Sequence, residues 1–127
     1  MKETWVIKIG SSLVTKSNTG LNTKNIKSWV AQINQIINNN INVIIVSSGA
    51  IAEGMNRLGL GKRPNSSSQL QALAAIGQMG LVKAYEVAFK KYNILTAQML
   101  LTHEDLSDRT RYLNAKNTLS NLIKYNT

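Results

Sequence analysis

The sequence predicts an α/β fold, in which an open and mostly parallel sheet lies between two layers of helices. Apolar segments of strand length alternate with segments whose apolar residues recur every three or four positions, in the order β-α-β-α-α-β-α. The second of these strands is apolar at nearly every position, which is typical of a strand buried on both faces of a parallel sheet. Because helices connect parallel strands, we expect helices on both faces.

The first half of the chain contains two predicted strands and the helix between them. The elements are, in order, a strand, a polar loop with one glycine, a helix and a second strand: Thr4–Ile9, Lys16–Asn22, Thr23–Asn38 and Asn42–Ser47. The helix has the three-and-four spacing of a single apolar face, and Asn22 or Thr23 can cap its start.

The second half of the chain is predicted to be mostly helical. Its first element is a helix that begins about Ser48 and ends near Gly59. A loop, a long helix, a third strand and a last helix follow, at Lys62–Ser68, Leu70–Phe89, Ile94–Leu101 and Ser107 onward, respectively. In the long helix, Gly77 and Gly80 allow a bend or close packing. Segment 102–105, Thr-His-Glu-Asp, has the spacing of a capping box. Three strands make a small sheet, so we expect a partner or further sequence to cover a strand edge.

Composition limits the class of protein. The 127 residues, 43% of them hydrophobic, fit one domain, and the absence of cysteine excludes a disulfide framework and a thiolate site. The formal net charge of +9 favours anionic partners such as nucleotides, phosphorylated metabolites or nucleic acid. The basic residues are scattered, so a dedicated nucleic-acid surface is the minor interpretation. No apolar run reaches membrane-spanning length and no secretory signal is present, so we expect a cytoplasmic protein.

The carboxyl end of the first predicted strand is the first candidate site. Lys8 precedes Gly10, Ser11 and Ser12, and ligands of open α/β sheets bind outside the carboxyl ends of the strands. Glycine lets a phosphate approach the backbone, serine hydroxyls add donors, and an anion there would neutralise the lysine. The alternative interpretation is a lysine that extends to solvent beside an ordinary polar turn.

The second predicted strand ends in a similar way. Segment 47–51, Ser-Ser-Gly-Ala-Ile, leads into a helix whose amino terminus can hold a carboxylate. Simple capping of this helix by Ser48 is the alternative. Neither loop has the spacing of a Walker loop or of the three-glycine dinucleotide fingerprint, so phosphate contacts would come from the two loops together.

Several segments together resemble the amino acid kinase family. They are Val-Ile-Lys-Ile-Gly-Ser-Ser at 6–12, Ser-Ser-Gly-Ala-Ile-Ala-Glu-Gly at 47–54, Gln-Ala-Leu-Ala-Ala-Ile-Gly-Gln at 71–78, Gln-Met-Leu-Leu-Thr at 98–102 and Asp-Arg-Thr-Arg-Tyr-Leu-Asn-Ala at 108–115. The match is collinear from about residue 4 to the end of the chain, and several motifs in order are more specific than any one. Among the family, the resemblance is to the members that phosphorylate the side-chain carboxylate of L-glutamate.

The resemblance implies transfer of the γ-phosphoryl group of ATP to L-glutamate, giving L-glutamyl 5-phosphate at the start of proline synthesis, with Mg²⁺. The family lysine at the position of Lys8 contacts the transferring phosphoryl group. The resemblance assigns the ATP phosphates to Lys8 and to the first loop, which is Gly10, Ser11 and Ser12. It assigns glutamate to the second loop, which is Ser48, Gly49 and Ala50. It assigns no metal ligand within this chain. It further implies feedback inhibition by proline and assembly into dimers or tetramers.

Residues 1–127 are therefore expected to be the amino-terminal, amino-acid-binding part of such a kinase domain. The nucleotide lobe that holds adenine, ribose and metal is expected to lie outside this chain, which would then be inactive alone. Three alternatives stay open: a family member with another acceptor, such as aspartate, acetylglutamate, carbamate or uridylate; a noncatalytic binding or regulatory half-domain; and a basic nucleic-acid binder, which salt-dependent binding would reveal.

Overall fold

A computed structural model describes residues 2–16 and 20–127. Within those ranges the chain forms four strands and six helices. In chain order they are β1 (Thr4–Ile9), α1 (Ser11–Val14), β2 (Thr15–Lys16), β3 (Gly20–Leu21), α2 (Thr23–Asn38), β4 (Asn42–Ser47), α3 (Ala50–Leu58), α4 (Ser67–Lys90), α5 (His103–Ser107) and α6 (Arg109–Lys124). Among these described residues, no helix combines the length and the apolar composition that a membrane crossing needs.

The parallel pair β1–β4 is the centre of the fold. Its register runs from Thr4 opposite Asn42 to Ile9 opposite Ser47. Both strands have the predicted bounds, and their predicted parallel pairing is confirmed. The pairing is possible because α2 connects the two strands as a crossover, which returns the chain to the same end of the sheet.

Helix α2 also follows the sequence prediction. It spans Thr23–Asn38, and the side chain of Asn22 accepts a hydrogen bond of 3.2 Å from the backbone N–H of Asn25. The predicted apolar face is the buried one, with Ile26, Val30 and Ile33 at three-and-four spacing. This face and the buried side chains of α4 form the main core.

The core covers one face of the sheet. Ile7 and Ile9 of β1 pack into it beside Val43 and Ile45 of β4. Side chains alternate along a strand, so the intervening residues point to the opposite face. There, Val6 is 65% and Val46 50% exposed. The incomplete α/β fold is thus confirmed, but the expectation that Asn42–Ser47 is buried on both faces is wrong within this chain.

Helices α3 and α4 approach each other more closely than side chains would allow. A Cβ added at Gly77 would overlap the carbonyl oxygen of Ala50, and one added at Gly54 would overlap the carbonyl oxygen of Leu73. The close packing predicted for Gly77 therefore occurs, and Gly54 is its counterpart on the facing helix. Close backbone contact of this kind is possible only where glycine leaves room.

The region between β1 and α2 contains more structure than the predicted polar loop. The four-residue helix α1 follows β1, and β2 then pairs with β3 in an antiparallel hairpin. The prediction for Lys16–Asn22 lies partly outside the described residues, because 17–19 are not among them. Short elements of this size carry too few residues for a periodic pattern to be recognised.

The third predicted strand, Ile94–Leu101, is wrong. The segment has no regular secondary structure and no ladder pairing, and Leu95 and Leu100 are 72% and 76% exposed. An apolar composition favours the strand conformation, but a β-strand also needs a neighbouring strand to satisfy its backbone groups. No strand within the described residues lies beside this segment.

The predicted last helix, from Ser107 onward, corresponds to α6, and the short helix α5 precedes it. Thr102 and Asp105 form the predicted capping box at the start of α5, and hydrogen bonds from Thr102 hold the pKa of the Asp105 carboxyl below its usual value. Asp108 then caps α6, accepting a hydrogen bond of 2.9 Å from the N–H of Arg111. A second strong cap so close to the first begins a new helix.

We expect Gly77→Ala to lower the free energy of unfolding by about 3 kcal/mol, the upper part of the range for overpacking, because the new methyl group must push α3 away from α4. Urea unfolding measures the effect. Gly61→Ala is the matched control, since a Cβ there meets no atom within 4 Å. Equal unfolding free energies for the two variants would show that the close contact at Gly77 is not needed.

Candidate functional site

The carboxyl ends of β1 and β4 lie side by side and carry the two candidate loops. Because the strands are parallel and in register, the segments that follow them leave the sheet side by side, at the carboxyl edge of the sheet. The N–H of Ser48 donates a hydrogen bond of 2.9 Å to the carbonyl oxygen of Ile9, so the loops are joined where they begin. The structure therefore brings together the two segments that the sequence analysis singled out.

Lys8 projects from the open face of the sheet. Ile7 and Ile9 on either side of it pack into the core, so alternation directs Lys8 to the other face, where its register partner Val46 is also exposed. Within residues 2–16 and 20–127, Lys8 has no ion-pair partner. Its ammonium group is therefore available to an anion at the carboxyl end of the sheet.

Gly10, Ser11 and Ser12 form the turn that opens α1. The Gly10 carbonyl accepts hydrogen bonds from the N–H groups of Leu13 and Val14, at 3.1 and 3.2 Å. Ser11 and Ser12 are exposed, and as the first residues of a helix their N–H groups have no acceptor within it. The space beside the Gly10 Cα is open. These groups can all face a ligand oxygen.

Gly49 joins the second loop to α3 in a backbone conformation that favours glycine, with a φ of +113°. It is buried, and a Cβ on it would lie 3.2 Å from Cγ1 of Val14 in α1. The second loop thus also lies against α1, the helix that the first loop opens. Capping of α3 by the Ser48 side chain is not observed, because Gly49 occupies the cap position and the helix begins at Ala50. The exposed Ser48 hydroxyl is left for another partner.

Tyr85 of α4 reaches this edge of the sheet and was not anticipated as a site residue. Its hydroxyl lies 3.0 Å from Oγ of Ser47, and Ser47 Oγ donates a further hydrogen bond of 3.0 Å to the carbonyl oxygen of Ser48. Burial raises the pKa of Tyr85, and the hydrogen bond with Ser47 offsets part of that rise. A tyrosine within an otherwise apolar helical stripe was the available signal, because a buried tyrosine hydroxyl usually has a hydrogen-bond partner.

Glu53 is a second polar residue that the sequence analysis did not single out. It is buried, and its Oε1 accepts a hydrogen bond of 2.9 Å from Nε of Arg57, one turn later in α3. Its other oxygen, Oε2, is buried without a hydrogen-bond partner among the described residues. Both side chains lie against Gly80 of α4, where a Cβ would contact them, so the pair belongs to the packing of α3 on α4.

Other concave surfaces lie away from this edge. A groove of about 330 Å³ separates segment 99–101 from α6, and one of about 350 Å³ lies between the β2–β3 hairpin and α3. Neither groove includes Lys8 or the second loop. Among residues 2–16 and 20–127, no group of three or more His, Asp or Glu side chains could hold a metal ion.

Chemically, the arrangement can hold two anions close together. The Lys8 ammonium group, which has no ion-pair partner among the described residues, lies with the start of α1 at the end of one strand, and the start of α3 lies at the end of its neighbour. Phosphate and carboxylate groups are favoured at such positions by free N–H groups and by the helix dipole. Two anions that react with each other must be brought together against their mutual repulsion, and a cation with free N–H donors is the kind of group that offsets it.

The chain is similar to known proteins over nearly its whole length. The model of the amino acid kinase family matches residues 3–127. A glutamate 5-kinase from Hydrogenovibrio crunogenus is 53% identical over 121 residues, covering 95% of this chain and 32% of that protein. Glutamate 5-kinases from Alcanivorax borkumensis and Hahella chejuensis are 52% and 56% identical, covering 98% and 94% of this chain and 33% and 31% of theirs. The chain thus spans about a third of the length of these relatives.

We expect Gly49→Ala to destabilise the protein by about 1–3 kcal/mol, because it combines an unfavourable φ with a close contact on Val14. Gly59→Ala is the matched control, since Gly59 also has a positive φ, +66°, but no atom lies within 4 Å of its added Cβ. Gly49 has both the less favourable φ and the close contact, so urea unfolding should show the larger loss for Gly49→Ala. A loss at Gly49 no larger than the loss at Gly59 would contradict the packing of Gly49 on Val14.

Proposed function

The chain belongs to the amino acid kinase family, and on this basis we propose that it is the amino-terminal part of a glutamate 5-kinase. The proposed reaction is ATP-dependent phosphorylation of the side-chain carboxylate of L-glutamate to L-glutamyl 5-phosphate, the first step of proline biosynthesis. The observation that carries the proposal is the identity of 52–56% to relatives named glutamate 5-kinase over nearly the whole chain. The juxtaposition of two anion-binding loops supports it.

In this proposal, the first loop binds the phosphates of ATP. Lys8 contacts the transferring phosphoryl group, and Gly10, Ser11 and Ser12 hold its nonbridging oxygens through N–H and hydroxyl groups. Support comes from the unpaired state of Lys8 among the described residues and from the open space at Gly10. Phosphoryl transfer needs positioning and charge neutralisation more than covalent participation by the protein, and these groups provide both.

The second loop binds the acceptor. Ser48, Gly49 and Ala50 hold L-glutamate, with the Ser48 hydroxyl and the amino terminus of α3 as donors. Support comes from the exposure of Ser48, which is not used as a helix cap, and from the nine-residue helix that begins at Ala50. This placement sets the acceptor beside Lys8, since the two loops are joined by the Ser48–Ile9 hydrogen bond.

The proposed transfer is a direct displacement. An oxygen of the glutamate side-chain carboxylate forms a bond to the γ-phosphorus of ATP as the bond from that phosphorus to the β-phosphate oxygen breaks, so ADP leaves with the electron pair. The residues of this chain bind, orient and neutralise the two anions. Mg²⁺ is implied by the family, but the described residues provide no group of acidic ligands for it, so no step is derived through the metal.

Further parts of the proposal concern the whole protein. Residues 1–127 are the amino-acid-binding part of the kinase domain, and the nucleotide lobe is supplied by polypeptide outside this chain, so these residues are inactive alone. The relatives, of which this chain spans about a third, support that division. By the same family resemblance we propose a cytoplasmic enzyme that assembles as a dimer or tetramer and is inhibited by proline.

A noncatalytic binding module is the second candidate. One observation favours it: the apolar segment 94–101 is exposed at Leu95 and Leu100, and the sheet is open at Val6 and Val46. Surfaces of this kind are suited to association with another polypeptide. This role and the kinase role differ in whether any form of the gene product transfers phosphate to an acceptor.

We expect Lys8→Ala to reduce glutamate-dependent ADP formation about 100-fold or more, because it removes the positive charge from the transferring phosphoryl group. The assay uses the gene product expressed to its natural stop codon, with L-glutamate, L-aspartate or no acceptor. Lys27→Ala, which removes an exposed lysine from α2, is the control and should retain full turnover.

Three results would contradict different parts of the proposal. Turnover that does not depend on the acceptor, or that prefers L-aspartate, would reject glutamate as substrate. Glutamate-dependent turnover that survives Lys8→Ala would reject the role of the lysine while leaving the reaction intact. Turnover by the isolated 127-residue chain would reject its proposed inactivity.

A further inference from the structure

We propose that Tyr85 is a positioning residue for L-glutamate: through Ser47 its hydroxyl orients the Ser48 peptide group and so sets the affinity of the second loop for the acceptor. The inference rests on the proposed function, because it gives Tyr85 a role in binding the substrate named there. Tyr85 lies in α4, 38 residues from Ser47, and the helix brings it to the carboxyl end of β4.

The hydrogen bonds form a chain with a defined direction. Ser47 Oγ lies 3.0 Å from both the Tyr85 hydroxyl and the carbonyl oxygen of Ser48. A serine hydroxyl has one hydrogen, and the carbonyl can only accept, so Ser47 donates to Ser48. Tyr85 must then donate to Ser47. Hydrogen bonds in such a chain polarise and strengthen one another, so the Tyr85 bond tightens the one to the loop.

The Ser48 peptide region is consequently held from two sides. On one side the Ser48 N–H donates a hydrogen bond of 2.9 Å to the carbonyl oxygen of Ile9, which fixes it to β1. On the other side the Ser48 carbonyl accepts from Ser47, which is fixed to α4 through Tyr85. This carbonyl belongs to the peptide bond that carries the N–H of Gly49. Its orientation therefore decides where that N–H, a donor of the proposed acceptor loop, points.

The Tyr85 ring is itself held in place. It packs against the buried core cluster, so the position of its hydroxyl is set by the body of the protein and not by the loop. Burial keeps the pKa of the phenol above its ordinary value, so Tyr85 remains a protonated donor throughout the neutral range. A rigid donor anchored in the core is suited to positioning a loop that must keep one geometry.

A residue in this position affects binding more than chemistry. Tyr85 acts on the second loop through Ser47, whereas the proposed function assigns the transferring phosphoryl group to Lys8 and the first loop. Loss of its hydroxyl should leave a looser peptide group that still reaches the productive geometry once glutamate is bound. The expected signature is a raised KM for glutamate with little change in kcat or in the KM for ATP.

The test compares Tyr85→Phe with Tyr92→Phe in the gene product expressed to its natural stop codon. Tyr92 follows the end of α4 and also packs against the core, so the control removes a hydroxyl from a similar setting. We expect Tyr85→Phe to raise the glutamate KM about three- to tenfold, the range that the loss of one hydrogen bond produces. The kcat and the KM for ATP should stay within about twofold, and the Tyr92→Phe variant should match the parent.

Substitutions at Ser47 separate positioning from general stability. Ser47→Ala removes the central hydroxyl and should raise the glutamate KM at least as much as Tyr85→Phe does. Combining the two changes should add nothing further, because both break the same chain. Ser47→Thr keeps a hydroxyl and should restore the parent KM. If Tyr85→Phe lowers the melting temperature, the Ser47 variants still show whether the glutamate KM depends on this hydrogen-bond chain.

The outcomes distinguish this inference from the proposed function. A parent enzyme that turns over glutamate, with an unchanged glutamate KM in both Tyr85→Phe and Ser47→Ala, overturns the role of Tyr85 alone. Equal and additive effects of the two substitutions also overturn it, since they would act independently. A parent enzyme without glutamate-dependent turnover overturns the proposed function, and the role of Tyr85 in acceptor binding with it.

Discussion

The backbone contact between α3 and α4 is the constraint on which the candidate site depends. Gly54 and Gly77 face the carbonyl oxygens of the opposite helix, so the two helices lie closer than any side chain would permit. Because α3 begins at Ala50, its attachment to α4 determines where its amino terminus lies relative to the sheet. Helix α4 also carries Tyr85, which is hydrogen bonded to Ser47 at the end of β4. One helix therefore positions both sides of the second loop.

The parallel pair β1–β4 supplies the other half of the arrangement. Parallel strands in register leave the sheet at one edge, and this places Lys8 and the turn at Gly10 beside the loop that leads into α3. Two further contacts make the loops a single unit: the Ser48–Ile9 hydrogen bond and the packing of Gly49 on Val14. A site for two reacting anions needs such a fixed separation, since small displacements are costly in transfer reactions.

The parts of the fold that the sequence predicted well are those set by local patterns. The strand Asn42–Ser47 and the helix Thr23–Asn38 have the predicted bounds because an apolar run and a three-and-four period are properties of the segment itself. The strand predicted at Ile94–Leu101 is wrong because pairing depends on a neighbour, which no local pattern reveals. The Ser47–Tyr85 hydrogen bond joins residues 38 apart and follows only from the packing of α4. The roles of Lys8 and of Ser48–Ala50 remain predictions, although their proximity is now a feature of the structure.

The most direct test of the proposed site is a crystal structure of the gene product, expressed to its natural stop codon, with L-glutamate and a nonhydrolysable ATP analogue. We expect the Lys8 ammonium within about 4 Å of a terminal phosphate oxygen, the distance of an ion pair. We also expect glutamate to be hydrogen bonded to the Ser48–Ala50 segment. Glutamate bound away from that segment, with Lys8 directed to solvent, would contradict the assignment of the two strand ends as one site.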